Sequence, residues 1–323
     1  MRGREAALPI VRRNTRIGSE REGRPTQPPL CATAVLLGSA TRRVRELGTA
    51  MTKTTMYHTP NGALAVHQSA GDGPPIVLIH GNSSSARAFS RQLDGSLGRR
   101  RRVVAIDLLG HGHSENASDP AAYLLPGHAL AVIAIAGNFD LDQAVFVGWS
   151  LGGHILLEAA RDLPKARGFA IYGAPPVGFP PAMAEAFLPN PALAAGFSAD
   201  LTREQAQGYV SSFFAPGFAD APPFFVEDAL RADGRARAQV AASMAPGVSR
   251  DEVQVVAGLQ QPLAVLHGTR EQFVNGAYYA KLDMPTLWRG AVQAIDSAGH
   301  APQWETPVAF DALIEAFAVD CGG

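Results

Sequence analysis

Apolar residues in this chain gather in short continuous blocks separated by turn-forming residues. Residues 55–58 and 63–68 flank Pro60-Asn61-Gly62, a pattern that predicts a β-hairpin. Five further runs, 76–79, 103–106, 145–147, 168–172 and 263–266, are apolar almost throughout, as expected of strands buried on both faces of a parallel sheet. A last, weaker run covers 291–295. Helical patterns lie between them, at about 86–93, 126–139 and 151–162, and a final amphipathic one at 307–319. Alternation of strand and helix predicts an α/β fold with a mostly parallel, doubly wound sheet. The alternation breaks between about 175 and 261. Here prolines are frequent, only short helical patterns occur, and eight of the chain's 15 phenylalanines are found. This segment is expected to be a helical cap inserted into a core formed by 51–174 and 262–323.

Composition narrows the class. Hydrophobic residues make up 46% and charged residues 18%, with a net charge of −1, as in ordinary globular proteins. That balance gives no reason to expect nucleic acid or an anionic membrane surface as partner, and no apolar run reaches the ~18 residues of a membrane span. The charge is uneven: residues 1–50 carry ten Arg and four Glu, leaving the rest of the chain at −7. The arm lacks apolar periodicity, so it is expected to be a disordered extension, with Met51 as the natural start. Cys31 and Cys321 form neither a disulfide framework nor a metal-ligand spacing, so a reducing, cytoplasmic location is expected.

The chemistry lies at the strand ends. The run Val145-Phe146-Val147 leads into Gly148-Trp149-Ser150-Leu151-Gly152-Gly153 and then a helix-compatible stretch. Alone, Gly-x-Ser-x-Gly is also a glycine-rich turn opening a helix. In strand–turn–helix context it is a nucleophile elbow, with Ser150 lifted above the sheet and the Leu151 N–H turned toward a developing oxyanion. Ligands of open parallel sheets bind beyond the carboxyl ends of the strands. Three other ends carry reactive groups: His80-Gly81-Asn82, Glu271 and His300. The order serine, acid, histidine is that of the α/β-hydrolase triad.

These motifs, with Asp107 to Ser114 and Gly299-His300-Ala301-Pro302, resemble the α/β-hydrolase superfamily over about residues 55–320. A serine hydroxyl needs a base, which His300 would supply, and the imidazolium needs a carboxylate. Glu271 is the candidate acid, with Asp296, four residues before His300, as the reserve. The N–H groups of Asn82 and Leu151 would hold the oxyanion, and the Asn82 side chain could add a contact. Asp107 and the loop through His111 and His113 are read as structural, with no metal and no cofactor. Serine at the elbow sets the chain apart from the haloalkane dehalogenases and epoxide hydrolases, which carry Asp there.

A narrower likeness rests on 80–85, 148–154, Ala232-Asp233-Gly234-Arg235-Ala236-Arg237 and 298–302. These segments are similar to the metal-independent N-acyl-homoserine-lactone lactonases of this fold. That resemblance implies lactone hydrolysis, a glutamate in the triad and a cap tyrosine that contacts the lactone, for which Tyr209 is the best match. Trp149 and Phe213 are further candidates for the substrate pocket. The phenylalanines of the cap would line an acyl pocket or simply hold the cap to the core. The expected partner is a small acyl ester or lactone, bound by a monomer or small homo-oligomer. General carboxylesterase, carbon–carbon bond hydrolase and, more remotely, a non-catalytic receptor remain as alternatives.

Overall fold

The computed structural model describes residues 52–322. The expectations for the N-terminal arm, Met51 and Cys31 lie outside the described residues. Eight strands form one sheet in the order β1-β2-β4-β3-β5-β6-β7-β8. They are β1 (Lys53–Thr59), β2 (Gly62–Gln68), β3 (Ile76–Ile79), β4 (Val103–Ile106), β5 (Val145–Trp149), β6 (Gly168–Tyr172), β7 (Leu263–Gly268) and β8 (Gln293–Ile295). The hairpin β1–β2 is antiparallel, and β2 runs antiparallel to β4; every other pairing is parallel. All residues of β3, β4, β5 and β6 are buried, which is why their sequences show no polar alternation.

The connection from β3 to β4 moves toward one edge of the sheet, and every later connection moves toward the other. Crossovers are right-handed, so the two directions put their helices on opposite faces. The helix Leu125–Asn138 packs on Leu151–Ala159, which packs on Glu252–Gly258. The short helices Ser90–Leu93 and Ser96–Arg100 are joined on the other face by Pro302–Glu305 and Pro307–Asp320. The direction reverses at β3 and β5, and a crevice at such a switch point is where ligands of this sheet type bind.

Between β6 and β7 the described elements are helical, the longest being Arg203–Ser211, Phe224–Arg231 and Gly234–Ser243. The predicted strand at 291–295 is shorter than expected. Arg289 turns the chain with φ 58°, and Ala291 bonds back to the Trp288 carbonyl, so pairing starts at Gln293. Among the described residues no helix is long and apolar enough to cross a membrane.

Candidate active site

Strand register brings the candidate residues together. Ile79 of β3 pairs with Gly148, and Trp149 of β5 pairs with Tyr172 of β6. The next residues along these strands, His80 onward, Ser150 and Gly173, therefore emerge side by side. Ser150 has φ 52° and ψ −119°, a left-handed conformation costing a non-glycine residue ~1–3 kcal/mol. Its N–H donates to the Tyr172 carbonyl (2.8 Å), fixing the elbow to β6. Gly152 permits the helix to start so close to the sheet: a Cβ there would lie 2.2 Å from the Ile79 carbonyl oxygen.

His300 follows β8. Its Nδ1–H donates to Glu271 Oε2 (2.8 Å), and both side chains are almost wholly buried. Glu271 Oε1 accepts the N–H groups of Gln272 (2.9 Å) and Phe273 (2.8 Å). Burial pushes the Glu271 carboxyl up, but the charge and hydrogen bond of His300 and the Phe273 N–H outweigh it and hold the group below its usual range. Asp296, by contrast, is exposed, and the His300 ring makes its carboxylate contact with Glu271. The ring lies over Gly173, where an added Cβ would sit 2.5 Å from its Cε1. Trp149 is buried, and its indole N–H donates to the His300 carbonyl (2.7 Å). The strand that leads to Ser150 and the His300 loop are thus tied together from both sides.

Asn82 and Leu151 flank the same corner, and among the described residues neither backbone N–H has a hydrogen-bond partner. The Asn82 side-chain amide donates to the Gly196 carbonyl of the insertion (2.6 Å), so it is committed to a protein group. Tyr209 is buried, with its ring against Phe213 and Phe273 and its hydroxyl beside Gly196. Phe213 packs edge-on to Trp149 and lies 6.0 Å from the His300 ring. Phe225 meets Trp149, Phe213, Phe214 and Trp304. Phe213 and Phe225 therefore hold the helical segment between β6 and β7 to the strand ends. A small cavity of about 30 Å³ separates Leu151 and His154 from Val177, Phe179, Val240 and Met244.

Sequence reasoning gave no role to His154, Arg237 or His67. His154 Nδ1 bonds both carboxylate oxygens of Glu252 (2.8 and 3.0 Å). His67, Asp107 and His113 stand within 4.8 Å of one another by their ligand atoms. Their polar atoms are engaged: Asp107 Oδ2 accepts from the His67 ring (3.0 Å) and the His113 N–H (2.8 Å), and Oδ1 from the Ala86 N–H (2.7 Å). That network shapes the loop after β4.

A strained serine at a strand–helix turn, beside a buried histidine–glutamate pair in an eight-stranded sheet of this order, defines a hydrolase architecture. The chain matches the alpha/beta hydrolase family over residues 76–313 and belongs to it. Lactonases and esterases are among the proteins it is similar to. Among solved structures it is similar to the N-acyl homoserine lactonase AidH complexed with N-butanoyl homoserine: 36% identical, TM-score 0.79, covering 83% of this chain and 97% of that one. A serine-to-glycine mutant of AidH complexed with N-hexanoyl homoserine lactone is also 36% identical, with TM-score 0.79 and coverage of 83% and 98%. Among curated proteins, the pimeloyl-[acyl-carrier protein] methyl ester esterase of Xanthomonas oryzae pv. oryzae is 40% identical over 106 residues, 33% of this chain and 39% of that protein. An uncharacterized protein of Mycobacterium bovis is 30% identical over 124 residues, 38% of this chain and 36% of its own length. The chain thus matches little more than a third of the length of these curated relatives.

Proposed function

We propose that this enzyme opens the lactone ring of N-acyl-homoserine lactones through an acyl-enzyme on Ser150. The observation that carries the catalytic part is the buried His300–Glu271 hydrogen bond beside a serine held at φ 52°. Support for the substrate comes from AidH, similar over nearly its whole length and complexed with acyl-homoserine compounds. His300 Nε2 takes the Ser150 proton as the hydroxyl attacks the lactone carbonyl, while Glu271 keeps Nδ1 protonated and stabilises the imidazolium. The N–H groups of Leu151 and Asn82 receive the negative oxygen, and one such donor contributes ~3 kcal/mol to the transition state. Collapse breaks the ring ester bond, and the alkoxide leaves with the proton from His300. The leaving group stays attached to the acyl moiety, because the ester is cyclic. A water deprotonated by His300 then attacks the acyl-enzyme and releases the N-acyl homoserine. Tyr209, beside Asn82 and Gly196, is the group that would orient the lactone.

The test offers purified enzyme and its Ser150→Ala variant a panel of acyl-homoserine lactones and aryl esters, reading acid release and product mass. Ring-opened acyl homoserine from the wild type alone is the expected result. Turnover of aryl esters with intact lactones would leave a carboxylesterase, the reading favoured by the methyl ester esterase relatives.

A further inference from the structure

We infer that the helical insertion positions the oxyanion donor: the Gly196 carbonyl, locked in place by Arg237, holds Asn82 through its side chain, so the donor is set only when the insertion is seated on the strand ends. This rests on the reading above that the Asn82 N–H receives the oxyanion.

The core holds the loop 80–84 on one side. His80 Nδ1–H donates to the Gly81 carbonyl (2.8 Å), and its Nε2 accepts the Leu108 N–H (3.0 Å). The Ser83 N–H donates to His111 Nε2 (3.3 Å), whose Nδ1–H donates to the Leu109 carbonyl (2.9 Å). Burial pushes both imidazoles down, His111 to about 3, so both are neutral and able to accept at Nε2. Ser83 takes φ 58°, a conformation that reverses the chain directly after Asn82.

On the other side the Asn82 loop is held by the insertion. Asn82 Nδ2 donates to the Gly196 carbonyl at 2.6 Å across 114 residues of sequence. A carbonyl can only accept, so this partner also fixes which way the amide faces. Gly196 is fitted to the corner: a Cβ there would lie 2.9 Å from the Tyr209 hydroxyl. The segment just after it is held by Arg237, whose Nε donates to the Ser198 carbonyl (2.7 Å) and Nη2 to the Ala199 carbonyl (2.8 Å). Nη1 donates to the Ala229 carbonyl (3.1 Å), tying in the end of the helix Phe224–Arg231. Arg237 is 3% exposed and, among the described residues, pairs with no carboxylate. Its Nη1 also reaches the Ser83 hydroxyl (3.5 Å), next to Asn82. A buried guanidinium satisfied by carbonyls and one hydroxyl is a cross-link whose removal frees several segments at once. One of these segments is the one that presents Gly196 to Asn82.

Arg237 is therefore a positioning residue. Asn82→Ala is the most direct test, because it keeps the backbone N–H while deleting the tether to Gly196, together with the local contact of the Ser83 hydroxyl to Oδ1 (3.2 Å). Asn82→Ala, Arg237→Met and the double variant are compared, in the full chain, for aryl-ester turnover and for inhibition by an alkyl boronic acid. The boronate forms a tetrahedral adduct with serine and places an oxygen where the oxyanion would sit. Each single variant is expected to lose about 10- to 100-fold in kcat. The boronate Ki should rise by the same factor, KM should change less than about threefold, and the double variant should be no worse than the poorer single one. Unchanged kcat in Asn82→Ala, a loss confined to KM, or multiplicative losses in the double variant would overturn the inference. If Arg237→Met does not fold, the Asn82→Ala comparison of kcat, KM and boronate Ki decides alone. Failure of the underlying reading has a different signature: Ser150→Ala that keeps turning over ester, or a wild type that the boronate does not inhibit.

Discussion

Two histidine–glutamate pairs stand close to the elbow, and they are built alike. His300–Glu271 and His154–Glu252 each join Nδ1 to a carboxylate oxygen at 2.8 Å in a buried setting. They differ in what the carboxylate is tied to. The second oxygen of Glu271 takes N–H groups from its own loop, Gln272 and Phe273, which sets the pair at the strand ends. Glu252 accepts the Val177 N–H (2.9 Å), and its own N–H donates to the Val177 carbonyl (3.1 Å). Val177 and Glu252 stand near the points where the insertion leaves and rejoins the core. His154 sits four residues after Ser150 on the same helix, so this pair pins both stalks of the insertion to the nucleophile helix. On the proposed mechanism one copy of this chemical unit serves reactivity and the other anchoring; its location relative to Ser150, which pairwise geometry cannot reveal, separates the two.

The comparison is broken most directly by deleting each histidine. His300→Ala is expected to lower kcat about 10⁴-fold or more in steady-state assays, and Glu271→Gln about 10²- to 10⁴-fold. His154→Ala should keep kcat within about tenfold yet cost ~3–5 kcal/mol in denaturant unfolding, because it leaves a buried carboxylate without its cation. A His154→Ala protein as stable as the wild type but inactive would reverse the two assignments.

The cost of His154→Ala should also depend on pH. Burial lowers the His154 pKa, but the charge and hydrogen bond of Glu252 more than compensate and leave it raised. The folded state then holds the proton more tightly than the unfolded chain. This contribution is complete below the ordinary histidine range near 6.5 and disappears as pH rises through the raised value. The stability gap between wild type and variant should therefore be widest at about pH 6 and narrow toward pH 9. A gap that widens with pH would contradict the pairing.

Gly173→Ala sharpens the active-site half. Gly173 has φ 61°, and its new Cβ would collide with the His300 ring. We expect kcat to fall about tenfold or more, with a smaller loss of about 1–3 kcal/mol in stability. The smallest effect belongs to an exposed pair between the insertion and the segment after β7, Glu185–Lys281 at 2.6 Å. Glu185→Gln should change unfolding free energy by less than about 0.5 kcal/mol and leave turnover unaltered.

Much of the architecture was legible in the sequence because buried parallel strands write themselves as unbroken apolar runs. The strands at 76–79, 103–106 and 168–172 stand where the runs put them, and the hairpin turns at Gly62. Elements that depend on local detail were less legible. The helix Pro302–Glu305 and the turns Pro120–Tyr123 and Gly276–Lys281 are too short to carry a periodic signal. The strand at 291 begins two residues late because of a left-handed turn at Arg289 and Gly290.

For the candidate site, residue types at strand ends sufficed to single out Ser150, Glu271, His300, Asn82 and Leu151, since a nucleophile elbow and the loops of a parallel sheet have a fixed relation to its strands. Which acid meets the histidine was a choice between Glu271 and Asp296 that only coordinates could make, for it depends on how far each loop reaches. The same holds for Trp149, Tyr209 and Phe213, whose aromatic character was plain but whose neighbours were not. Glu252 carries no motif, and the motif segments that contain His154 and Arg237 gave neither residue a role. Each acts on a partner 38 to 98 residues away, and contacts at that separation are set by packing of the insertion on the sheet. The sequence by itself determined the strands, the elbow and the chemical groups at the strand ends, because these follow from local pattern. Only the tertiary structure decided the strand order, the partner of each buried histidine and the grip of the insertion on Asn82, because these depend on register and on which surfaces meet when the chain closes on itself.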